Sequence, residues 1–477
     1  MNSSKEKDIQ DASEVNREKI KIIFAMTSLA LSMLMASLGT SITNVSLPTL
    51  VKVFNATFQD VQWVILTYLL SITSLIVTVG KVGDIFGRKN VLIIGLLTFT
   101  ISSLVCGISN SLEMLMIARI FQGLGAAIMM ALTMAFVGET VPKDNIGRAM
   151  GLLGAMSATG TALGPTIGGI LIAKFSWTSI FFINVPIGLL TILLVCKYLS
   201  NSNRNTQIAN KKIDFKGTFV LVLTLVAYAL SMTSTHGRFG LFNIVLIGLA
   251  VLGVYFFLHV EKSSQHPLIN LSMFKNPDIS LGLFLSMIVM TVMMTTLVVG
   301  PFYLSHALML NPENVGLIMS VGPLAAALSG VPAGKVVDQF GFKKMMVIGV
   351  VGIAIGSIFL SIVPINLGVK GYIIPLVIMT ISYSLFQTAN NTSVMKDIQF
   401  EQRGSVSGLL NLSRNLGLFT GASVMGLIFS FASKSSNVNT AKPDDIAFGM
   451  NITFSVAVFM LMICVAVIFF VRKNNKI

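Results

Sequence analysis

Charge is scarce in this chain. Asp, Glu, Lys and Arg make up only 11% of its 477 residues, against 54% hydrophobic residues, so it cannot wrap one soluble core in a charged shell. Cysteine is scarcer still. Cys106, Cys196 and Cys464 all fall in or at the ends of apolar runs, so neither a disulfide framework nor a cysteine-based metal centre is indicated. Long polar stretches are missing too: no break between apolar runs is much longer than about 18 residues, too short for a separate soluble domain. A catalytic module therefore has nowhere to sit, and the chain is not expected to be an enzyme or to hold a cofactor or metal. Its nearest approach to a phosphate loop, Gly330-Val-Pro-Ala-Gly334-Lys335-Val, has the wrong spacing and no Ser or Thr after the Lys, which excludes an ATP-driven pump.

What the chain has instead is apolar runs of the length that crosses a bilayer, about 20 residues each. They are expected at 22–47, 61–80, 90–110, 112–139, 148–173, 177–198, 217–235, 240–259, 278–305, 313–333, 344–364, 370–393, 404–431 and 446–471. The fold class is thus an all-α polytopic membrane protein of fourteen transmembrane helices. Residues 1–21 are charged and nearly free of large apolar groups, and are expected to form a disordered cytosolic tail. The first run is too long for a signal peptide and lacks a small-residue cleavage pattern, so it should remain as an anchor.

Net charge is +14, and its distribution separates topology from nucleic-acid binding. With the N-terminus inside, 25 of the 33 Lys and Arg residues fall in cytosolic segments. Six lie outside (Lys52, Lys174, Arg238, Lys370, Lys434 and Lys442), and Arg119 and Arg414 lie within helices. That bias is the positive-inside rule, and fourteen crossings return the C-terminus to the same side. The lipid bilayer is the expected partner, in the cell membrane, and nucleic acid is not.

An internal repeat organises the runs. Gly80-Lys-Val-Gly-Asp84-Ile-Phe-Gly87-Arg88-Lys89 recurs as Gly334-Lys-Val-Val-Asp338-Gln-Phe-Gly341-Phe-Lys343, with seven of ten positions identical. Gly151, Gly160 and Gly164 are echoed by Gly408, Gly417 and Gly421 two helices after each copy. Spans one to six and nine to fourteen then form two pseudo-symmetric six-helix bundles, with spans seven and eight inserted between them. The boundaries follow as a tail at 1–21, an N-terminal bundle at 22–198, a linker with two inserted helices at 199–277, a C-terminal bundle at 278–471 and a tail at 472–477. Parallel halves related by an axis along the membrane normal rock around a central site.

Within the first copy, glycines permit a tight turn and close helix approach, while Asp84, Arg88 and Lys89 can make charge contacts across it. The fourth span carries Arg119 and Gln122 in ARIFQGLGAA, with Arg119 roughly 10 Å from the outer end at 1.5 Å per residue. An Arg there either snorkels to the outer headgroups or faces a partner or a wet cavity. In the fifth span Gly160, Gly164, Gly168 and Gly169 place small residues where a neighbouring backbone can approach closely, and Pro165 should kink the helix.

Together these segments resemble the major facilitator superfamily. Gly80 to Lys89 looks like its signature loop, where acid and base latch the inward-closed state, and Glu139 and Asp338 are placed to join such a latch. The RxxQGxGAA pattern resembles the family's fourth-helix motif, in which the Arg is linked to proton movement. Gly160 to Gly169, followed by Trp177 and FFINVPIG, resembles the fifth-helix motif of its antiporter branches. With SLGTSITNVSLPTL and QWVILTYLL ahead of them, and fourteen helices, the chain resembles the drug:proton antiporter group that includes multidrug, quaternary-ammonium and tetracycline exporters. The resemblance implies the major facilitator fold, a monomer, protons as a coupling partner and a small amphipathic molecule as substrate.

One departure stands out. Relatives with cationic substrates usually carry an acid in the first helix, where this chain has Gly39, and no carboxylate falls at mid-membrane. The remaining candidates for proton coupling are Arg119, Glu139, Glu313 and His306, with Glu139 open as gate or carrier and His306 as rim residue or relay. Polar groups avoid lipid, so Asn44, Tyr68, Arg119, Gln122, Gln387, Asn390, Asn391, Asn411 and Arg414 are candidates for the substrate cavity. Met287 and Met290, among several methionines, suit a cavity that repacks around varied ligands or simply fill the core. With Arg119 lacking an acidic partner, the cavity is expected to be neutral to positive. Two functions compete: proton-driven efflux of amphipathic compounds, and a facilitator for a particular metabolite, lipid or peptide.

Overall fold

The structure is a computed structural model that describes residues 2–141, 146–199, 214–233, 240–264, 271–396, 398, 403–433 and 441–474. The N-terminal bundle is built from α1 (Asn2–Val53), α2 (Phe58–Phe86), α3 (Arg88–Gly107), α4 (Leu112–Thr140), α5 (Ile146–Lys174), the short α6 (Ser179–Phe182) and α7 (Asn184–Tyr198). An inserted hairpin follows as α8 (Phe215–Thr233) and α9 (Leu241–Ser263). The C-terminal bundle comprises α10 (Pro277–Phe302), α11 (Pro312–Phe340), α12 (Phe342–Ile362), α13 (Gly368–Met395), α14 (Arg403–Thr420), α15 (Gly426–Ala432) and α16 (Pro443–Asn474). Single π-helical turns extend α10 at Tyr303–Ala307 and join α14 to α15 at Gly421–Met425.

Among the described residues, twelve helices are long and apolar enough to cross a membrane. The pair Pro312–Gly330 and Pro332–Phe340, bent by 50°, makes a thirteenth. The 29-residue α2 occupies the place expected of the second span, so the set is compatible with fourteen crossings. Two details differ from expectation. Helix α1 runs unbroken from Asn2, through the residues read as a disordered tail, because nothing from position 2 to 21 is Gly or Pro and no helix stop is written there. The sharp bend falls at Pro332 in α11, while Pro165 sits inside an unbroken α5.

Neighbour relations repeat between the bundles. Helix α1 packs on α5 and α7, α2 on α4, and α3 on α4 and α7; correspondingly α10 packs on α14 and α16, α11 on α13, and α12 on α13 and α16. The repeated loop is built the same way twice. Gly87 (φ 91°) and Gly341 (φ 82°) both turn the chain between consecutive helices in a backbone region that a Cβ disfavours. The α8–α9 hairpin lies outside this pattern and rests on α2, where the Thr78 and Thr218 hydroxyls are 2.8 Å apart.

In lipid, helix association relies on packing, so the closest crossings fall where side chains are smallest. A Cβ added at Gly160 would sit 2.5 Å from the Leu34 carbonyl oxygen and 3.0 Å from the Leu38 nitrogen of α1. Gly164 and Gly168 abut Ser41 and Ile42 of the same helix. Their echoes Gly417 and Gly421 press α14 and the π turn after it onto Met287, Met290, Thr291 and Met294 of α10. Gly154, by contrast, faces open space. Gly160→Ala should therefore destabilise the purified protein by about 1 to 3 kcal/mol, the usual range for overpacking, while Gly154→Ala should be neutral or slightly stabilising. Thermal denaturation in detergent checks this; equal melting temperatures for the two variants would show that the crossing is not tight.

Candidate functional site

Arg119 is fully buried. Its Nε donates to the Val64 carbonyl (3.0 Å), Nη1 and Nη2 both donate to the Gly39 carbonyl (3.2 Å each), and Nη1 also donates to Gln122 Oε1 (2.6 Å). Gln122 passes the connection to Ser103 of α3 (2.7 Å). The guanidinium lies 4.0 Å above the Tyr68 ring, whose hydroxyl donates to the Ala36 carbonyl (2.7 Å). One side chain thus ties α1, α2 and α4 together and reaches α3 through Gln122. Among the described residues no carboxylate accepts from it.

At Gly39, where the family resemblance led one to expect an acid, main chain meets the guanidinium. The Gly39 carbonyl takes two of the guanidinium's donors, and a Cβ at this position would lie 2.9 Å from the Tyr68 hydroxyl and 3.3 Å from Phe99 Cζ. An acidic side chain at 39 would have to displace Tyr68. Asn44 is also fully buried, donating to the Thr40 and Ser41 carbonyls of its own helix. Asn44, Tyr68, Arg119 and Gln122 therefore form the interior of the N-terminal bundle in this state, not an accessible wall.

The polar candidates of the second bundle are arranged differently. Arg414, Asn391, Gln387, Asn411, Met287 and Met290 are all half-buried. Arg414 Nη2 donates to Asn391 Oδ1 (2.6 Å), and Tyr383 donates its hydroxyl to Met290 Sδ (3.2 Å). Asn411 Nδ2 lies 3.8 Å from Met134 Sδ of α4, which brings this cluster to the boundary between the bundles. Asn390 is the exception, buried and donating to the Gly282 carbonyl (3.1 Å).

At the end of the molecule opposite the repeated loops, the bundles are sealed against each other. A Cβ at Gly169 of α5 would lie 2.6 Å from the Pro312 carbonyl and 2.8 Å from Gly316 Cα of α11. Beside this crossing, Gln62 donates to the Ala422 carbonyl and Gln59 to the Ser430 hydroxyl. Phe58 packs edge-on to Phe302 (4.8 Å) and Phe429 (5.6 Å). His306 stacks on Phe302 (5.9 Å), and Glu313 sits in the first turn of α11, where its charge suits the helix dipole. Gln59, Gln62 and Ser430 were not singled out by sequence, although glutamines inside an apolar run were the available signal.

The loop residues have mixed placements. Lys89 donates to the Cys196 and Leu199 carbonyls (3.0 and 2.7 Å), capping the C-terminus of α7. Arg88 is half-buried and Asp338 exposed. The side chains of Asp84 and Glu139 lie outside the described residues. Every described carboxylate lies at a helix cap or in a terminal turn, including one missed by sequence: Glu261, 2% exposed in the last turns of α9 beside Gly217 and Asp214. It escaped notice because α9 continues four residues beyond the expected end at 259. Among the described residues no cluster of His, Cys, Asp and Glu suits a metal ion.

The family model described as Major Facilitator Superfamily matches residues 29–422 and 279–476. The chain is 28% identical over 450 residues to "Riboflavin transporter RibZ" of Clostridioides difficile (strain 630), covering 94% of this chain and 97% of that protein. It is 26% identical over 446 residues to "Multidrug resistance protein Stp" of Mycobacterium tuberculosis, covering 91% and 80% respectively. Its fold is similar to that of the xylose transporter XylE from E. coli, with a TM-score of 0.64, 15% identity and coverage of 92% and 96%.

The buried hydrogen bonds of Arg119 set an expected outcome. Arg119→Ala leaves Gln122 Oε1 without its donor and a cavity beneath the Tyr68 ring, while the Gly39 and Val64 carbonyls keep their helix bonds, and should cost about 2 to 4 kcal/mol of stability. Arg119→Lys, a point charge without the planar fork, should recover only part of it. Melting temperatures of the purified variants check both; an Arg119→Ala protein as stable as wild type would show that the residue is not a clamp.

Proposed function

Because this chain belongs to the major facilitator superfamily, a family of secondary transporters and not enzymes, we propose that it exports amphipathic small molecules by alternating access in exchange for protons. Residues 22–198 and 278–471 are the two rocking units, 199–277 the linker with its inserted hairpin, and residues 1–21 and 472–477 lie in the cytosol. The Lys and Arg distribution supports this orientation in the cell membrane. The observation that carries the reading is the glycine-to-glycine seal between α5 and α11. In this orientation it closes the outer end, leaving the half-buried Asn391, Asn411 and Arg414 toward the cytosol, where an exporter collects its cargo. The multidrug resistance relatives support breadth of substrate. As in other members of this fold, a monomer suffices, since each bundle finds its partner within the chain.

Coupling is placed outside the first helix. Gly39 offers no proton site, so Glu139, Glu313 and His306 are the groups proposed to exchange protons, and Arg119 positions the helices among which they move. Asp84, Arg88 and Asp338 are proposed to latch the cytosolic side when it closes.

A second reading has its own support. The riboflavin transporter is similar over nearly its whole length, which favours a specific flat metabolite as cargo. One experiment separates the readings: efflux of ethidium and norfloxacin from cells expressing the protein, with and without an uncoupler, in wild type and Glu139→Gln. The proposal expects uncoupler-sensitive efflux, reduced at least about 10-fold in the variant if Glu139 carries the proton. Efflux of neither compound, with transport of riboflavin, would establish the second reading.

A further inference from the structure

The two intramembrane arginines are in opposite situations. Arg119 is 0% exposed and spends its donors on four hydrogen bonds. Arg414 is half-buried and, among the described residues, makes one hydrogen bond, to Asn391, with no carboxylate near it. A guanidinium has five N–H donors, cannot lose its charge in a protein and is costly inside a membrane unless it meets an anion or a polar cavity. Arg414 lies six residues beyond Gly408, where its membrane-spanning segment begins, or about 9 Å along the axis, too deep to be a loop charge.

Its surroundings describe a ligand. Asn391 Oδ1 takes one donor, on Nη2, and among the described residues Nε and Nη1 make no hydrogen bond. One turn earlier on α14, Asn411 reaches Met134 of the opposite bundle, so the fork stands where the two halves meet. Met287 and Met290, against which Gly417 of α14 packs, and Met134, reached by Asn411, supply polarizable apolar surface, and Tyr383, whose hydroxyl is held on Met290, supplies an aromatic wall. All of these residues keep partial exposure, unlike the sealed cluster around Arg119.

We propose that Arg414, hydrogen-bonded to Asn391, is the anion-recognition point of the cargo site: it binds a carboxylate, or an equivalent anionic oxygen pair, on an amphipathic molecule whose apolar body lies against Met134, Met287, Met290 and Tyr383. This rests on the transport reading above and narrows its substrate class to anionic and zwitterionic amphiphiles. It also accounts for Gly39 in the first helix, since a site anchored by a guanidinium has no use for a counter-charge to cations.

Two dyes that differ in one group test it: rhodamine 110, with a free carboxyl, and its methyl ester rhodamine 123. Binding to purified protein in lipid nanodiscs is read by fluorescence anisotropy for wild type, Arg414→Gln, Arg414→Lys and Asn391→Ala. Wild type should hold the acid at least about 10-fold tighter than the ester. Arg414→Gln should bring the two within about 2-fold while leaving ester binding unchanged; Arg414→Lys should retain part of the preference, and Asn391→Ala should lessen it. Ester binding equal to or tighter than acid binding in wild type, a preference that survives Arg414→Gln, or binding of neither dye would overturn the proposal. Equilibrium binding needs no pumping, so this result is independent of whether cells expressing the protein show efflux.

Discussion

Everything in this molecule depends on how closely two helix backbones can approach where lipid supplies no hydrophobic drive between them. The answer is written in glycine. Gly160, Gly164 and Gly168 let α5 lie on α1 at main-chain distance, Gly417 and Gly421 do the same for α14 and its following π turn on α10, and Gly169 meets Gly316 across the two bundles. The first two crossings are internal to a bundle and keep it rigid. The third has no side chain to interlock, so it can close tightly and separate cleanly, which is what a gate between rigid units requires.

Electrostatics divides along the same boundary. Within the N-terminal bundle a buried cation is solvated by carbonyls, a glutamine oxygen and a stacked ring, a solution that ties four helices together and leaves the charge sealed from any ligand in this state. At the boundary with the C-terminal bundle another cation keeps most of its donors. Charge that is satisfied specifies structure, and charge that is unsatisfied and accessible awaits a partner. Gly39 belongs to the first arrangement: its carbonyl takes two of the Arg119 donors, and the Tyr68 hydroxyl fills the space that a larger side chain at this position would need.

Much of this was legible in the sequence because membrane folding compresses the code. Apolar runs gave the helices, the Gly80–Lys89 repeat gave the pseudo-symmetry, and the spacing of Gly160, Gly164 and Gly168 gave a close crossing. What was not legible was direction. Periodicity places Arg119 and Arg414 inside the membrane alike, and only packing distinguishes the one clamped on Gly39 from the one left half-exposed. The seal between the bundles was not legible either, because the partners of Gln59 and Gln62, Ser430 of α15 and Ala422 of the π turn before it, lie some 360 residues away in the chain. Helix ends erred in both directions: a charged segment without Gly or Pro continues α1 to Asn2, and α9 runs on far enough to bury Glu261.

The central claim is that the Gly169–Gly316 crossing is a gate. Spin labels at Phe175→Cys, just past α5, and Met309→Cys, just before α11, flank it at sites 77% and 76% exposed, where labels disturb no packing. Pulsed electron–electron resonance on the protein in nanodiscs should give a short and a long distance population, with Gly316→Ala and Gly316→Val progressively depleting the short one. A single distance, unchanged by either substitution, would contradict the account.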